Sequence, residues 1–348
     1  MNELDSSIPA RKLNIVESNM FWFLKVFAIL SVITAHISFI HGDGAMHWVT
    51  TVYASFSTEG VIWFFIMGGF FFSANGTWQN FIRKKKSMAT AWLVCSLVTY
   101  IVCRVIVRKA SVLGCIQWIL GYFTWYYYVV IFLALQIIFF LLRKHFRNKY
   151  LLCGCCLTTI VSVMLESRYS YSLLVLHLPP YLNVFNWIGY FALGILLRSL
   201  NITDYLSRKS IFGGFVIGFL CILFLRVFYG PYGYFCFHIV SVFDGIFSFM
   251  AFLFVSKFLA EKFSYNPILD IGKETYCIYL LHMPIVQFTV KILPDSLLFV
   301  ILNPLLCLLE MHILIVLSKM VCPVKYRSFI FPLVGLKADG GTKLKDPK

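Results

Sequence analysis

The chain has 348 residues, 60% apolar, 18% aromatic and only 13% charged, with a mean hydropathy of +0.83. Such a composition excludes a soluble globular protein, because apolar stretches of about twenty residues recur along the chain and need a bilayer. The net charge of +15 invites a polyanionic partner such as nucleic acid, but the placement of the charges, described below, argues for a membrane topology and no nucleic acid.

In chain order, spans are predicted at residues 20–40, 49–73, 88–107, 115–141, 150–165, 183–197, 211–229, 236–256, 268–290 and 296–321. These are continuous apolar runs, unlike the alternating ~10-residue segments of a membrane β-barrel. The expected fold class is all-α: a polytopic integral membrane protein with about ten transmembrane helices around a polar cavity. Residues 1–19 form an N-terminal segment, 20–322 the membrane domain and 323–348 a polar tail, whose closing stretch GLKADGGTKLKDPK has the composition of a disordered segment. The first span is too long for the apolar core of a signal peptide and lacks a small-residue cleavage site, so it is expected to remain as a helix.

With the N-terminus in the cytoplasm and ten spans alternating, 23 of the 30 basic residues fall on the cytoplasmic side and six on the other, with Lys25 inside the first helix. The positive-inside rule accounts for that asymmetry and puts both termini in the cytoplasm. Arg104, Arg108 and Lys109 are the main discordant cluster: either the third helix ends elsewhere, or these cations face a cavity or an anionic substrate.

The first span, FLKVFAILSVITAHISFI, holds two ionisable residues, Lys25 and His36. An offset of eleven residues is about three helical turns, so both lie on one helix face, roughly 16 Å apart along the axis. Ionisable groups at membrane depth are costly and face water-filled cavities or partners. The plainer alternative is that Lys25 reaches to the headgroups and His36 hydrogen-bonds a neighbouring helix. Further polar residues fall within spans: Glu59 in the second, Arg226 near the end of the seventh, His238 and Asp244 in the eighth, His282 in the ninth, Glu310 and His312 in the tenth. Pro284, two residues after His282, has no amide hydrogen and leaves the Leu280 carbonyl free. Together they point to a polar cavity, although any one of them can serve packing alone. The eleven cysteines sit mostly in spans and read as small apolar residues, without metal or disulfides. The longest connection, ESRYSYSLLVLHLPPYLN at 166–183, is rich in tyrosine, as interfacial anchors and sugar-stacking platforms both are.

At FLKVFAILSVITAH the sequence resembles the opening of the membrane-bound acyltransferase 3 family, in which an Arg, ten residues and a His begin the first helix. EGVIWFFIMGGFFF resembles the family's Gly-Val-x-x-Phe-Phe-x-x-Ser-Gly-Phe segment, and Phe81–Lys86 its basic loop before the third helix. GKETYCIYLLHMPI is similar to the late Ser/Thr-Tyr-x-x-Tyr-Leu-x-His-x-Pro helix, and GYFALGILL has the family's aromatic-then-Leu-Gly look. These stretches occur in the family's order over residues 20–290. Three positions depart from the pattern: Lys25 replaces the usual Arg, Gly68 the usual Ser, and Ile62 a frequent Asp or Pro. A lysine keeps the charge but loses the bidentate fork of arginine.

The resemblance implies transfer of an acyl group, usually acetyl, from acyl-CoA to a sugar hydroxyl of an extracytoplasmic polysaccharide or glycolipid, in the plasma (inner) membrane and without a metal. A hydroxyl attacking a thioester needs a base, which assigns His36 as general base or as transient acyl carrier. Lys25 is expected to hold a phosphate or pantetheine group or to stabilise negative charge, and Arg83, Lys84, Lys85 and Lys86 of the basic run to meet the polyphosphate of CoA. His282, Glu310, Glu59 and Arg104 are the expected substrate-binding residues. The thioester is expected to enter from the cytoplasm and a surface glycan or lipid-linked sugar acceptor from outside. The alternative is a transporter or flippase of a lipid-linked sugar.

Overall fold

The computed structural model describes residues 13–40, 60–73, 76–105, 111–122, 124–145, 148–200, 209–229, 237–263, 267–292 and 296–337. Among these residues the regular structure is helical, with no strand. The main helices are α1 (Ile15–Ile40), α2 (Gly60–Phe70), α3 (Trp78–Tyr100, continued by a π-turn over Ile101–Val105), α4 (Val112–Ile119), α5 (Tyr127–Leu141) and α6 (Lys149–Tyr169). They continue with α7 (Ile188–Ser199), α8 (Lys209–Tyr229), α9 (Ile239–Lys262), α10 (Ile268–Ile292), α11 (Leu297–Val321) and α12 (Val324–Leu333).

Among the described residues six helices are long and apolar enough to cross a membrane: α1, α3, α5 with its 3-10 extension to His145, α6, α9 and α11. α2, the stretch Val184–Ser199 and the Phe212–Leu225 part of α8 are apolar but shorter. α10 has a span's length but carries Asp270, Lys273, Glu274 and Lys291. It is sheltered by α1, α11 and α3 rather than turned to lipid. α1 is the axis of the bundle, packing against α2, α9, α10 and α11. Six of its apolar side chains, from Leu24 to Ile37, are almost wholly excluded from the surface.

Local chemistry explains where the helices begin and how they interlock. Asn14 Oδ1 accepts from the Glu17 amide (2.8 Å) while Glu17 Oε2 accepts from the Asn14 amide (2.9 Å), a reciprocal box that starts α1. Arg198, at the end of α7, donates to the carbonyls of Phe70 (3.3 Å) and Phe72 (2.9 Å), satisfying the otherwise open end of α2. His238, expected inside a span, is instead the cap of α9: its Nδ1 accepts from the Val240 amide at 3.3 Å.

Two expectations are corrected. The predicted span 115–141 is two helices, α4 and α5, because the chain reverses at Gly121. Gly121 has φ of +83°, and a Cβ there would come within 2.4 Å of the Tyr127 backbone. The stretch from Gly335, which reads as disordered, begins instead with a turn packed on Tyr276; ahead of it Val324–Leu333 of the expected tail form α12, packed on α3. Residues 338–348 lie outside the described part.

Candidate active site

A cavity of about 550 Å³ opens among α1, α2, α3, α5, α10 and the turn after α12. Its lining includes five lysines: Lys25 of α1, Lys84 and Lys85 of α3, Lys273 of α10 and Lys337. Lys273 shares its charge with Asp270 at 2.7 Å. Among the described residues none of the other four is paired with a carboxylate. Lys25 rests over the Trp22 ring, 4.1 Å from its centroid, so an aromatic face partly replaces the water its ammonium has given up. Deeper in, Phe64, Tyr128 and Tyr279 form an aromatic layer, with Tyr128 and Tyr279 edge to face at 4.9 Å. Gln136 also lines the cavity, and its buried carboxamide oxygen has no hydrogen-bond partner among the described residues. Gly68 also lines it; a Cβ at that position would fall 2.2 Å from the Phe132 ring, which explains why the usual serine is absent.

Immediately behind the aromatic layer lie two imidazoles. The rings of His36 on α1 and His282 on α10 are 5.0 Å apart, centroid to centroid. His282 is completely buried, and its ring is flanked by Tyr279 (5.4 Å) and Trp125 (6.0 Å). Its Nδ1 lies 2.6 Å from the Tyr279 carbonyl. A carbonyl only accepts, so Nδ1 carries the proton and donates; in the neutral ring Nε2 is then left with its lone pair. That Nε2 is buried without a hydrogen-bond partner.

Pro284 sets this arrangement. Lacking an amide hydrogen, it frees the Leu280 carbonyl, and Tyr126 Oη donates to it at 3.0 Å. Tyr279 Oη in turn donates to the Trp125 carbonyl. These reciprocal bonds tie the turn before α5 to the stretch of α10 ahead of Pro284 and place Trp125 against His282. Three helices thus run in parallel from the lysines to the imidazoles. The distance is about 16 Å from Lys25 to His36 on α1 and about 15 Å from Gly272 to His282 on α10, and α5 covers about 12 Å from Gln136 to Tyr128.

The structure brings together Lys25, Lys84, His36 and His282 of the expected site residues, the first two on the cavity wall and the imidazoles behind its floor. Lys86 and Arg83 are exposed and do not line the cavity; Arg83 bonds Asn80 Oδ1 at 3.2 Å. Of the expected basic run only Lys84 and Lys85 reach the wall, because a helix turns by 100° per residue and points its neighbours elsewhere. Arg104 is exposed on the π-turn, 5.7 Å from the Trp118 ring centroid, and away from the cavity. Glu310 accepts from Thr289 Oγ1 at 2.6 Å. Thr289 is seven residues beyond His282, about 10 Å along α10. Glu59 lies outside the described residues.

Sequence reasoning missed Gln136, Lys273, Tyr276 and Lys337, and it missed Glu274. The Glu274 carboxylate is buried between His312 Nδ1 (2.9 Å) and Lys319 Nζ (2.6 Å), an ion cluster joining α10 to α11. The only available signal for Tyr279 was its position one helical turn before His282.

Neither the curated proteins nor the solved structures contain a match to this chain. The sequence profile of the acyltransferase 3 family, described as an acyltransferase domain, matches residues 22–318, and that stretch includes both imidazoles and four of the five cavity lysines. The chain is a multi-pass membrane protein that belongs to the acyltransferase 3 family.

Proposed function

We propose that the protein moves an acyl group, acetyl by preference, from cytoplasmic acyl-CoA to a sugar hydroxyl of an extracytoplasmic polysaccharide or glycolipid at the plasma membrane. One observation carries this reading: a cavity walled by lysines and lined by Phe64, Tyr128 and Tyr279 lies against the buried His282 ring, with the His36 ring beside it. The lysine end suits the phosphates of coenzyme A. The unpartnered Gln136 oxygen suits an amide N–H of the pantetheine arm, which carries such groups between nucleotide and thioester. The aromatic layer excludes water from a thioester that would otherwise hydrolyse.

In the transfer, the sugar oxygen bonds to the acyl carbon and the carbon–sulfur bond breaks. The hydroxyl proton passes to an imidazole and then to the departing thiolate, which leaves as CoA–SH. His36 takes the proton directly, or first accepts the acyl group on its ring nitrogen and passes it on. Lys25 stabilises the negative charge of the donor. No metal is needed in this scheme.

The test uses membranes containing the protein, acetyl-CoA labelled in the acetyl group and the host's surface-glycan fraction. Label is expected in the glycan with the intact chain and absent with His36→Ala at equal protein level. Label that persists in the variant removes His36 from the centre of the reaction. Failure of every acyl-CoA to label the glycan favours transport of a lipid-linked sugar instead.

A further inference from the structure

The match to the family ends at residue 318, yet one wall of the cavity is built by residues that follow it. After α11 the Arg327 side chain donates to the carbonyls of Lys319 and Cys322 and folds α12 back on the end of that helix. Phe331 turns inward and is 2% exposed, and the Leu333 carbonyl accepts from Cys95 Sγ on α3. The chain then reverses. The Leu336 amide returns to the Phe331 carbonyl at 2.9 Å, the long closure of a helix-ending loop, with Gly335 at φ +79°. A Cβ on Gly335 would meet the Tyr276 ring at 2.7 Å, and Tyr276 Oη itself donates to the Met88 carbonyl of α3 at 2.7 Å. Turn, tyrosine and α3 are therefore locked together, and Lys337, two residues after Gly335, lines the same cavity as Lys84 and Lys85.

The geometry points to a phosphate subsite at the cavity mouth, made by Lys337 from the turn after α12 together with Lys84 and Lys85 of α3, which takes the phosphates of a nucleotide-bearing acyl carrier. The inference rests on the acyl-CoA reading and deepens it by assigning a segment outside the family match to donor recognition. Three lysines on two separate elements line one cavity, none paired with a carboxylate among the described residues, which calls for a ligand with more than one negative charge. A single carboxylate does not meet that demand, whereas a pyrophosphate or phosphomonoester does. The same chemistry is offered by phospholipid headgroups, and the experiment separates the two sources.

Full-length protein in nanodiscs of zwitterionic lipid is titrated calorimetrically with coenzyme A and with pantetheine, which lacks the nucleotide and its phosphates. Lys337→Glu is expected to weaken coenzyme A binding about tenfold, equivalent to about 1.4 kcal/mol, and to leave pantetheine binding unchanged. Lys337→Arg is expected to bind coenzyme A as the natural chain does. Lys325→Glu, on the exposed side of α12, is expected to change neither. Equal weakening of both ligands by Lys337→Glu shows a wall that only holds shape and overturns the subsite. Coenzyme A binding untouched by Lys337→Glu also overturns it, gives these lysines to the lipid headgroups and leaves the acyl-CoA reading standing. Natural protein that binds neither compound overturns the acyl-CoA reading itself.

Discussion

His282 makes one hydrogen bond and withholds another. The Tyr279 carbonyl fixes the proton on Nδ1, and the lone pair on Nε2 is buried without a partner among the described residues, in a ring packed beside His36. Leaving a buried polar atom unsatisfied costs about 1–3 kcal/mol, and an arrangement that carries such a cost is expected where a substrate group completes it. Asparagine keeps a donor near Nδ1 but has no atom at the Nε2 position, whereas glutamine extends a polar atom toward it. His282→Asn is therefore expected to lower single-turnover acyl transfer by about a hundredfold, in the range of a lost acid–base group, with unchanged thermal stability in detergent. His282→Gln is expected to retain more activity than His282→Asn; equal loss in both variants would assign the ring a packing role. Lys25 and His36 were legible in the sequence because a single helix carries both and its periodicity fixes their common face. Gln136 and Lys337 were not, since their approach to Lys25 depends on how three separate elements pack. The glycine at position 68 was visible as a departure from the family pattern, but its reason, the Phe132 ring, belongs to another helix.

The carbonyl that Pro284 leaves without an amide partner inside the continuous helix α10 is satisfied by a neighbour. Tyr126 satisfies the carbonyl that proline releases, and it also lies 3.1 Å from Thr99 Oγ1, which accepts from Trp118 Nε1 at 3.3 Å. Removing one hydroxyl thus leaves the Leu280 carbonyl without its partner in a buried place. Tyr126→Phe is expected to destabilise the protein by about 1–3 kcal/mol, read as a lower melting temperature in detergent, and to reduce acyl transfer because Trp125 loses its registry against His282. A variant with natural melting temperature and natural activity would mean that the tie between α5 and α10 is dispensable. The proline effect itself could be read from the sequence, since it follows from a missing amide hydrogen. The partner could not, because Tyr126 is 154 residues away in the chain. Elements were misread where composition and geometry disagree. Residues 115–141 look like one span because the run is apolar throughout, and only the left-handed conformation at Gly121 divides it. The stretch from Gly335 looks like the start of a disordered tail, yet its glycine is the residue that lets the chain turn back onto Tyr276.

For the whole molecule the decisive quantity is orientation. The cavity lysines belong to α1, α3, α10 and the turn after α12, segments that the charge asymmetry of the sequence assigns to the cytoplasmic half. In the packed structure these segments, distant in the chain, line one cavity, with Lys25 about three turns from His36. A carrier with several negative charges is made and used in the cytoplasm and does not cross a bilayer, so the lysine end must face inward for the proposed reaction to run. A fluorescent protein fused after Lys348 is expected to be bright, since it folds when kept in the cytoplasm. Alkaline phosphatase at the same position, which requires export, is expected to be inactive. The converse pattern would place the lysine cavity outside, where acyl-CoA is absent, and would turn the imidazole pair toward a donor and a reaction of another kind.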